Sequence, residues 1–241
     1  MPFFRLALDL KQSGMSDQNE YAELSWRDGK IPVATRFDDP YFSLENGIAE
    51  TAHVFLAGNG LPERFKAGFH IAELGFGTGL NLLCAWKAWE EAGHTTPLRY
   101  TSFEAFPMAP ADIAQAQAAW PELTEYATRF AQLWDHEIGR IEYKTLQAEV
   151  VAGDARATLP RWSGTADAWF LDGFSPAKNP ELWGADLMAE VARHTVQGGS
   201  FATYTAAGHV RRALASGGFT VKRSKGYGRK RHMTRGSLES G

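Results

Sequence analysis

The strongest local signal in this chain of 241 residues is the stretch Ala72-Glu73-Leu74-Gly75-Phe76-Gly77-Thr78-Gly79-Leu80-Asn81. It starts in a short apolar run that predicts a β-strand, and it continues into a helical pattern that reaches about Glu91. Glycines between a strand and a helix let the backbone approach a ligand, and the helix N-terminus presents free N–H groups to an anionic group. The stretch therefore predicts a strand, a ligand-binding loop and a helix.

The spacing of the glycines separates two kinds of nucleotide-binding loop. A dinucleotide-binding loop has the pattern Gly-x-Gly-x-x-Gly, but Leu80 occupies the position where its third glycine would fall. The third glycine comes one residue earlier, at Gly79, and the acidic residue Glu73 lies near the strand end. This Gly-x-Gly-x-Gly form resembles the first motif of S-adenosylmethionine-dependent methyltransferases.

Strand-like and helix-like segments alternate from about His70 to the C-terminus. Such alternation predicts a largely parallel sheet with helices on both faces. Together with the loop, it indicates an α/β fold of the Rossmann-like class I methyltransferase type, with a mostly parallel seven-stranded sheet. The last two strands are expected at 220–223 and 229–233, as an antiparallel pair.

The N-terminal region contains a hairpin signal, because an Asp-Gly turn separates two short β-prone runs between Leu24 and Ala34. We therefore expect residues 1–66 to form an N-terminal extension with a hairpin and lid region. The methyltransferase domain is expected over residues 67–235. Residues 236–241 have the composition of a linker or an added tail.

Acidic residues also follow three later strands. Glu104 comes 25 residues after Gly79, a spacing that suits a carboxylate that binds ribose hydroxyls. Asp154, in Gly153-Asp154-Ala155, lies where methyltransferases hold the adenine amine, and Asp172 ends the next strand. Such residues are also common turn formers and helix caps. Four of them at successive strand ends, beside this glycine loop, favour a cofactor site at the carboxyl edge of the sheet.

The segment after Asp172 is the predicted transfer site. Asp172-Gly-Phe174-Ser-Pro176 begins a proline-rich loop that is expected to be rigid. A carboxylate that accepts an amine N–H can aim the nitrogen lone pair and take its proton, so Asp172 is the candidate base. Phe174 could stack on a flipped base, or it could fill the core.

Five segments resemble the methyltransferase domain of the tRNA 5-methylaminomethyl-2-thiouridine biosynthesis proteins: 72–81, 102–107, 120–123, 167–180 and 226–231. The resemblance runs from about Tyr41 to Met233. It implies methyl transfer from S-adenosylmethionine to the exocyclic amine of 5-aminomethyl-2-thiouridine at the tRNA wobble position.

The resemblance also implies roles for individual residues. Asp172 would face the amine, with Phe174 and Pro176 in the catalytic loop. The cofactor would be held by Glu73, Gly75, Phe76, Gly77, Thr78, Gly79, Asn81, Glu104, Gly153, Asp154, Ala155 and Asp172.

Many members of this family continue into a flavin-dependent oxidoreductase that makes the aminomethyl substrate from the carboxymethylaminomethyl form. This chain is too short to include that domain. We therefore expect a stand-alone enzyme or an excised domain that does not bind flavin. The oxidoreductase would be a separate or fused partner.

Charge is distributed unevenly along the chain. The net charge is only −3, but the segment Val191–Leu238 contains no Asp or Glu. Ten of the 25 basic residues lie in it, so the other 15 are set against all 28 acidic residues. A basic C-terminal segment on an acidic body indicates a polyanionic partner such as tRNA, although a solvated basic face would give the same count.

Composition excludes several other classes of protein. A single cysteine, Cys84, rules out a disulfide framework and fits a cytoplasmic protein. The sequence has no run of 18 apolar residues and no paired histidine spacing, so neither a membrane span nor a metal site is expected. Two alternatives remain, which are a methyltransferase or aminopropyltransferase acting on a small amine, and a non-catalytic RNA-binding module.

Overall fold

The computed structural model describes residues 21–42, 46–135 and 139–239. Expectations for residues 1–20 and for residues 240–241 lie outside this part of the chain. Across the three described ranges, no helix has the length and apolar character needed to cross a bilayer.

The strands form two sheets. A small N-terminal sheet contains β1 (Leu24–Arg27), β2 (Ile31–Ala34) and β3 (Asp39–Pro40). Within the described residues, the central sheet has eight strands, which are β4 (His70–Leu74), β5 (Leu98–Glu104), β6 (Arg140–Tyr143), β7 (Leu146–Ala152), β8 (Ala166–Leu171), β9 (Thr195–Thr203), β10 (Phe219–Lys225) and β11 (His232–Leu238).

The central sheet has the order β10-β11-β9-β8-β4-β5-β7-β6. The pairs β9–β8, β8–β4, β4–β5 and β5–β7 are parallel. The pairs β10–β11 and β11–β9 at one end of the sheet and β7–β6 at the other end are antiparallel. The predicted α/β fold is confirmed, but the predicted count of seven strands is wrong. The extra strand is β6, which has only four residues, two of them charged, so its sequence carries no strong periodic signal.

Helices cover both faces of the central sheet. On one face lie α2 (Leu80–Glu91), α3 (Pro110–Gln117) and α4 (Thr124–Leu133). On the other lie α5 (Ala155–Thr158), α6 (Ala185–Arg193) and α7 (Gly208–Ser216). Trp86 and Trp89 on α2 are fully buried and Cys84 is nearly so, as their apolar surroundings on this helix predict.

The N-terminal hairpin forms as predicted. β1 and β2 pair antiparallel around Asp28 and Gly29, which both have the positive φ angles of a tight hairpin turn. Helix α1 (Gly47–Thr51) begins at Asn46, whose side chain accepts from the N–H of Ala49, and it continues as a π-helical and then a 3-10 segment to residue 59.

The region just before residue 66 packs into the main body of the molecule. Val54 and Phe55 are buried in the same core cluster as α2. The expected boundary at residue 66 therefore does not separate two cores.

The C-terminal part differs from the sequence prediction in two places. The closing antiparallel pair exists, but its second strand is His232–Leu238, and residues 229–231 lie in the turn before it. The assignment of residues 236–238 to a linker or tail is wrong, because Leu238 pairs with Phe219 at the end of the ladder. Small and polar residues there resemble a linker, but backbone pairing with β9 and β10 holds them in the sheet.

Candidate active site

A cavity of about 860 Å³ lies at the carboxyl edge of the central sheet. It is at the point where the strand order changes direction, between β4 and β8, which is where open α/β sheets bind ligands. Ten predicted site residues line it, namely Gly75, Phe76, Gly77, Thr78, Asn81, Glu104, Asp154, Ala155, Asp172 and Phe174.

Among the described residues, four predicted site residues do not line this cavity: Glu73, Gly79, Gly153 and Pro176. Glu73 is fully buried within the sheet, so the structure gives it a supporting position without direct access to a ligand. Gly79 precedes α2 in a left-handed conformation, where a Cβ would lie 3.0 Å from the ring of Phe76.

The glycine loop brings three segments together. Gly75 has a φ of +86°, and a Cβ there would lie 3.1 Å from the Cα of Gly173, in the loop after β8. Gly77 has a φ of +54°, and a Cβ there would lie 3.0 Å from the ring of Tyr41. Glycine is needed at both positions because of the left-handed backbone and the close approach of a neighbouring segment.

Asn81 connects two of the predicted carboxylates. Its amide nitrogen lies 2.8 Å from Glu73 Oε1 and 2.9 Å from Asp172 Oδ2, so its two hydrogens bind two different acids. The hydroxyl of Thr51 donates to Asn81 Oδ1 at 2.8 Å, which fixes the orientation of the amide. Ser102 donates to the second oxygen of Glu73 at 2.8 Å.

Burial shifts the pKa of both acids upward. It raises the pKa of Glu73 to about 8, although hydrogen bonds from Asn81 and Ser102 offset part of the shift. It raises the pKa of Asp172 to about 6, against hydrogen bonds from the backbone N–H of Gly173 and from Asn81. Near neutral pH, Glu73 is therefore largely protonated, while Asp172 is mostly a carboxylate that can accept a proton.

Glu104 is oriented by the loops on either side of it. Its two oxygens accept from the N–H groups of Gly77 and Phe106, at 3.0 and 2.8 Å. Burial raises the pKa of Glu104, and these backbone donors offset part of that shift. The carboxylate is thus tied to the glycine loop while it faces the cavity.

Asp154 is both a helix cap and a cavity residue. Its side chain accepts from the N–H of Arg156 at 2.9 Å at the start of α5, and it also forms an ion pair with the guanidinium of Arg156 at 2.6 Å. These contacts lower the pKa of Asp154. The capping interpretation is therefore correct for this residue, and its place on the cavity wall is compatible with ligand binding as well.

Aromatic side chains from the N-terminal region close one side of the cavity. Phe37 stacks on Phe174 with 4.6 Å between ring centroids, and the ring of Tyr41 meets Phe174 edge-on at 5.0 Å. Asp39 accepts from the N–H of Ser175 at 3.2 Å and lies 3.6 Å from the ammonium of Lys178. Phe174 thus forms part of the cavity wall and is supported by two other rings.

The cavity residues that the predicted site did not include comprise, among others, Glu50, Tyr204 and Lys230. Lys230 Nζ lies 2.7 Å from Glu50 Oε1 and 4.1 Å from the centroid of the Tyr204 ring. Tyr204 directly follows β9, and the rule that strand ends face the site would have identified it. No local signal links Glu50 to Lys230, because they are 180 residues apart.

No group of three or more metal-ligating side chains occurs among the residues that the structure describes.

Comparison with known proteins identifies the family. A family model described as S-adenosyl-L-methionine-dependent methyltransferase matches residues 120–239. The chain is 44% identical over 234 residues to the tRNA 5-methylaminomethyl-2-thiouridine biosynthesis bifunctional protein MnmC of Chromobacterium violaceum, covering 90% of this chain and 34% of that protein. The MnmC protein of Vibrio cholerae is 42% identical over 237 residues, with 35% of its length covered. The chain thus spans about a third of the length of these relatives.

A solved structure is similar throughout most of the chain. The crystal structure of MNMC2 from Aquifex aeolicus superposes with a TM-score of 0.73 and 28% sequence identity, covering 93% of this chain and 73% of that one. Fold and site define a Rossmann-like class I methyltransferase. The chain belongs to the S-adenosyl-L-methionine-dependent methyltransferase family whose model it matches. The predicted family and the predicted cofactor are confirmed.

Proposed function

We propose that the enzyme transfers a methyl group from S-adenosylmethionine to the exocyclic amine of 5-aminomethyl-2-thiouridine at the wobble position of tRNA. The observation that carries the proposal is the position of Asp172. This carboxylate lies at the end of β8, in the same cavity as the glycine loop, and its pKa of about 6 suits proton acceptance near neutral pH.

The residues that line the cavity fit S-adenosylmethionine. The cavity volume is within the range of about 300 to 1,000 Å³ that is typical of small-molecule sites. Glu104 would accept from the ribose hydroxyls, and Asp154 with the backbone of Ala155 would hold the adenine. Phe76, Gly77 and Thr78 would supply backbone groups for the methionine portion. Glu73 would act indirectly, through Asn81.

Asp172 would act on the acceptor amine. S-adenosylmethionine supplies an electrophilic methyl group on a positively charged sulfur. Asp172 accepts an N–H of the amine and thereby aims the nitrogen lone pair at that methyl carbon. As the N–C bond forms, the C–S bond breaks and its electrons stay on sulfur. Asp172 takes the proton that nitrogen loses.

Basic side chains at the same edge of the sheet would hold the tRNA. The pKa of His232 is lowered mainly by its partial burial. Three nearby positive charges lower it further, which are those of Arg223 on β10, Arg231 in the following turn and Arg211 on α7. None of these three arginines forms an ion pair with another described residue. A group of guanidinium side chains without ion-pair partners suits phosphate binding. We name Arg211, Arg223 and Arg231 the basic cluster.

A flavin-dependent oxidoreductase is the partner that we propose for supply of the aminomethyl substrate. It would be fused to this domain or act separately. Because the proposed substrate is tRNA, the enzyme would work in the cytoplasm.

The test is nucleoside analysis of tRNA after incubation with protein and S-adenosylmethionine. The proposal expects 5-methylaminomethyl-2-thiouridine at the wobble position, at the expense of the aminomethyl form. A parallel incubation with small polyamines tests the alternative, which is a methyltransferase or aminopropyltransferase for small amines. Product in that arm alone would favour the alternative, and absence of cofactor binding by calorimetry would favour a non-catalytic RNA-binding module.

A further inference from the structure

The ammonium group of Lys230 contacts Glu50 and Tyr204 in the way that a bound primary amine would. The ammonium of Lys230 lies 2.7 Å from a carboxylate oxygen of Glu50 and 4.1 Å from the centroid of the Tyr204 ring. A carboxylate and an aromatic face are the two groups that best stabilise an alkylammonium ion in a protein. All three residues line the cavity that contains Asp172.

The parts of this contact differ in how firmly they are held. The Glu50 side chain is 13% exposed and comes from α1, which packs against α2. Tyr204 is fixed because its hydroxyl donates to the carbonyl of Gly173 at 2.7 Å, next to Asp172. The Lys230 side chain is 46% exposed and reaches the cavity from the turn between β10 and β11. The carboxylate and the ring are therefore built into the wall, whereas the lysine side chain is half exposed and comes from a turn.

A cation is needed at this position. A carboxylate as little exposed as that of Glu50 is costly without a positive partner. Lys230 provides that partner in the free enzyme, and an incoming ammonium group of the same kind could replace it without leaving the carboxylate unpaired. The charges are close enough to Asp172 to affect it, because Glu50 raises the pKa of Asp172 and Lys230 lowers it.

We propose that Glu50 and the face of Tyr204 form the subsite for the protonated aminomethyl group of the acceptor, and that Lys230 fills this subsite until the substrate displaces it. The inference rests on the proposed function and adds to it the residues that recognise the amine. The amine would be captured at Glu50 as an ammonium ion, and Asp172 beside it takes one proton from this ion. That transfer frees the nitrogen lone pair that attacks the methyl carbon, and the methylated nitrogen keeps its remaining protons as a secondary ammonium.

Two RNAs that differ only in the aminomethyl group test the inference. They are an anticodon stem-loop with 2-thiouridine and the same stem-loop with 5-aminomethyl-2-thiouridine at the wobble position. The ratio of their dissociation constants, measured with S-adenosylhomocysteine present, isolates the contribution of the amine. Wild-type protein is expected to bind the aminomethyl RNA more tightly.

The two partners are expected to respond in opposite directions. Glu50→Gln should reduce the preference for the aminomethyl RNA by about 10 to 100-fold, as expected when a charged hydrogen bond is removed. Lys230→Met should increase the preference, because the competing ammonium is gone, and Lys230→Gln provides a second variant if the first does not fold. Glu63→Gln and Lys222→Met, both on the surface, are the matched controls.

A purely structural ion pair would give a different result. Equal loss of preference in Glu50→Gln and Lys230→Met would overturn the inference, as would an unchanged preference in Glu50→Gln. If wild-type protein binds both RNAs equally well, the amine subsite does not exist even though RNA binding does. If wild-type protein binds neither RNA and yields no methylated nucleoside, the proposed function itself fails.

Discussion

The side-chain amide of Asn81 lies 2.9 Å from Asp172 Oδ2 and donates to it. Asn81 is in the first turn of α2, directly after the glycine loop, whereas Asp172 follows β8. The helix that starts at the glycine loop therefore also sets the orientation of the carboxylate that we propose as the base. The second amide hydrogen binds Glu73, so the buried acid beneath the loop supports this arrangement.

The raised pKa of Glu73 predicts a pH-dependent stability effect. Its pKa is about 8 in the folded state against a usual value of 4.5, so the folded state holds the proton more tightly. The contribution of Glu73 to stability is therefore fully present below about pH 4.5, decreases as the pH rises towards 8, and is then constant. Glu73→Gln mimics the protonated form and should gain stability relative to wild type across that window, by an amount on the order of a few kcal/mol.

Chemical denaturation at pH 5, 7 and 9 measures this effect. Glu91→Gln, a change at an exposed position of the same helix α2, is the control and should show no such trend. A constant difference between Glu73→Gln and wild type at all three pH values would mean that Glu73 is ionised throughout.

The close approach of Tyr41 to the glycine loop predicts that Gly77→Ala weakens cofactor binding. The added Cβ would lie 3.0 Å from the Tyr41 ring and push it or the loop away. The dissociation constant for S-adenosylmethionine should rise by about tenfold or more, equivalent to ~1.4 kcal/mol.

Gly93→Ala is the matched control for this change. Gly93 also has a positive φ, +83°, but a Cβ there meets nothing within 4 Å. Both variants share the cost of a left-handed backbone, about 1 to 2 kcal/mol, so only Gly77→Ala should affect calorimetric binding. Equal affinities in the two folded variants would remove the loop from the cofactor site.

The basic cluster predicts the salt dependence of tRNA binding. A triple change of Arg211, Arg223 and Arg231 to Gln should weaken binding most at low salt. It should flatten the slope of log affinity against log salt concentration by about 0.7 to 0.9 for each phosphate that the variant no longer neutralises. Lys230 is left out of this set because it faces Glu50 and the cavity.

The control is a triple change to Gln of Lys87 on α2, Arg140 on β6 and Lys144 in the turn between β6 and β7. Strand β6 lies at the end of the sheet opposite β10. Filter binding at four salt concentrations gives the slopes. If both triple variants keep the wild-type slope, the RNA surface lies elsewhere, and the N-terminal hairpin would be the next region to test.

The sequence predicted those parts of the site that depend on local patterns. A strand, three glycines and a helix define the loop, and strand-end acids such as Glu104 and Asp172 meet at one edge because parallel strands all end there. The Asp28-Gly29 turn predicted the hairpin for the same reason, since two residues determine its geometry.

The sequence did not predict contacts that arise only from tertiary packing. Nothing near Glu50 indicates that Lys230 will reach it from another strand pair, and charge alone does not separate this lysine from its basic neighbours. Glu73 has the residue type of a ligand-binding acid, but its burial is determined by the neighbouring strands β5 and β8. Strand β6 was missed because four residues are too few to establish a period.

The pKa of Asp172 predicts the pH dependence of methyl transfer. Below about pH 6 the carboxyl group is protonated and cannot accept a proton from the amine. The single-turnover rate should therefore rise with pH up to about 6, and loss of the proton from the free substrate ammonium adds a further rise at higher pH. A rate that is independent of pH between 5 and 7 would show that Asp172 does not titrate in the reaction.

The most direct test of the central claim is the single-turnover rate of Asp172→Asn on tRNA that carries 5-aminomethyl-2-thiouridine. The change keeps the shape of the side chain but removes its charge and its basicity. Loss of a general base typically costs about 100 to 10,000-fold in rate, so we expect a fall in that range with S-adenosylmethionine affinity largely kept. Asp186→Asn, at an exposed position on α6, should react like wild type. A rate for Asp172→Asn near that of wild type would make Asp172 a structural turn residue and contradict the mechanism.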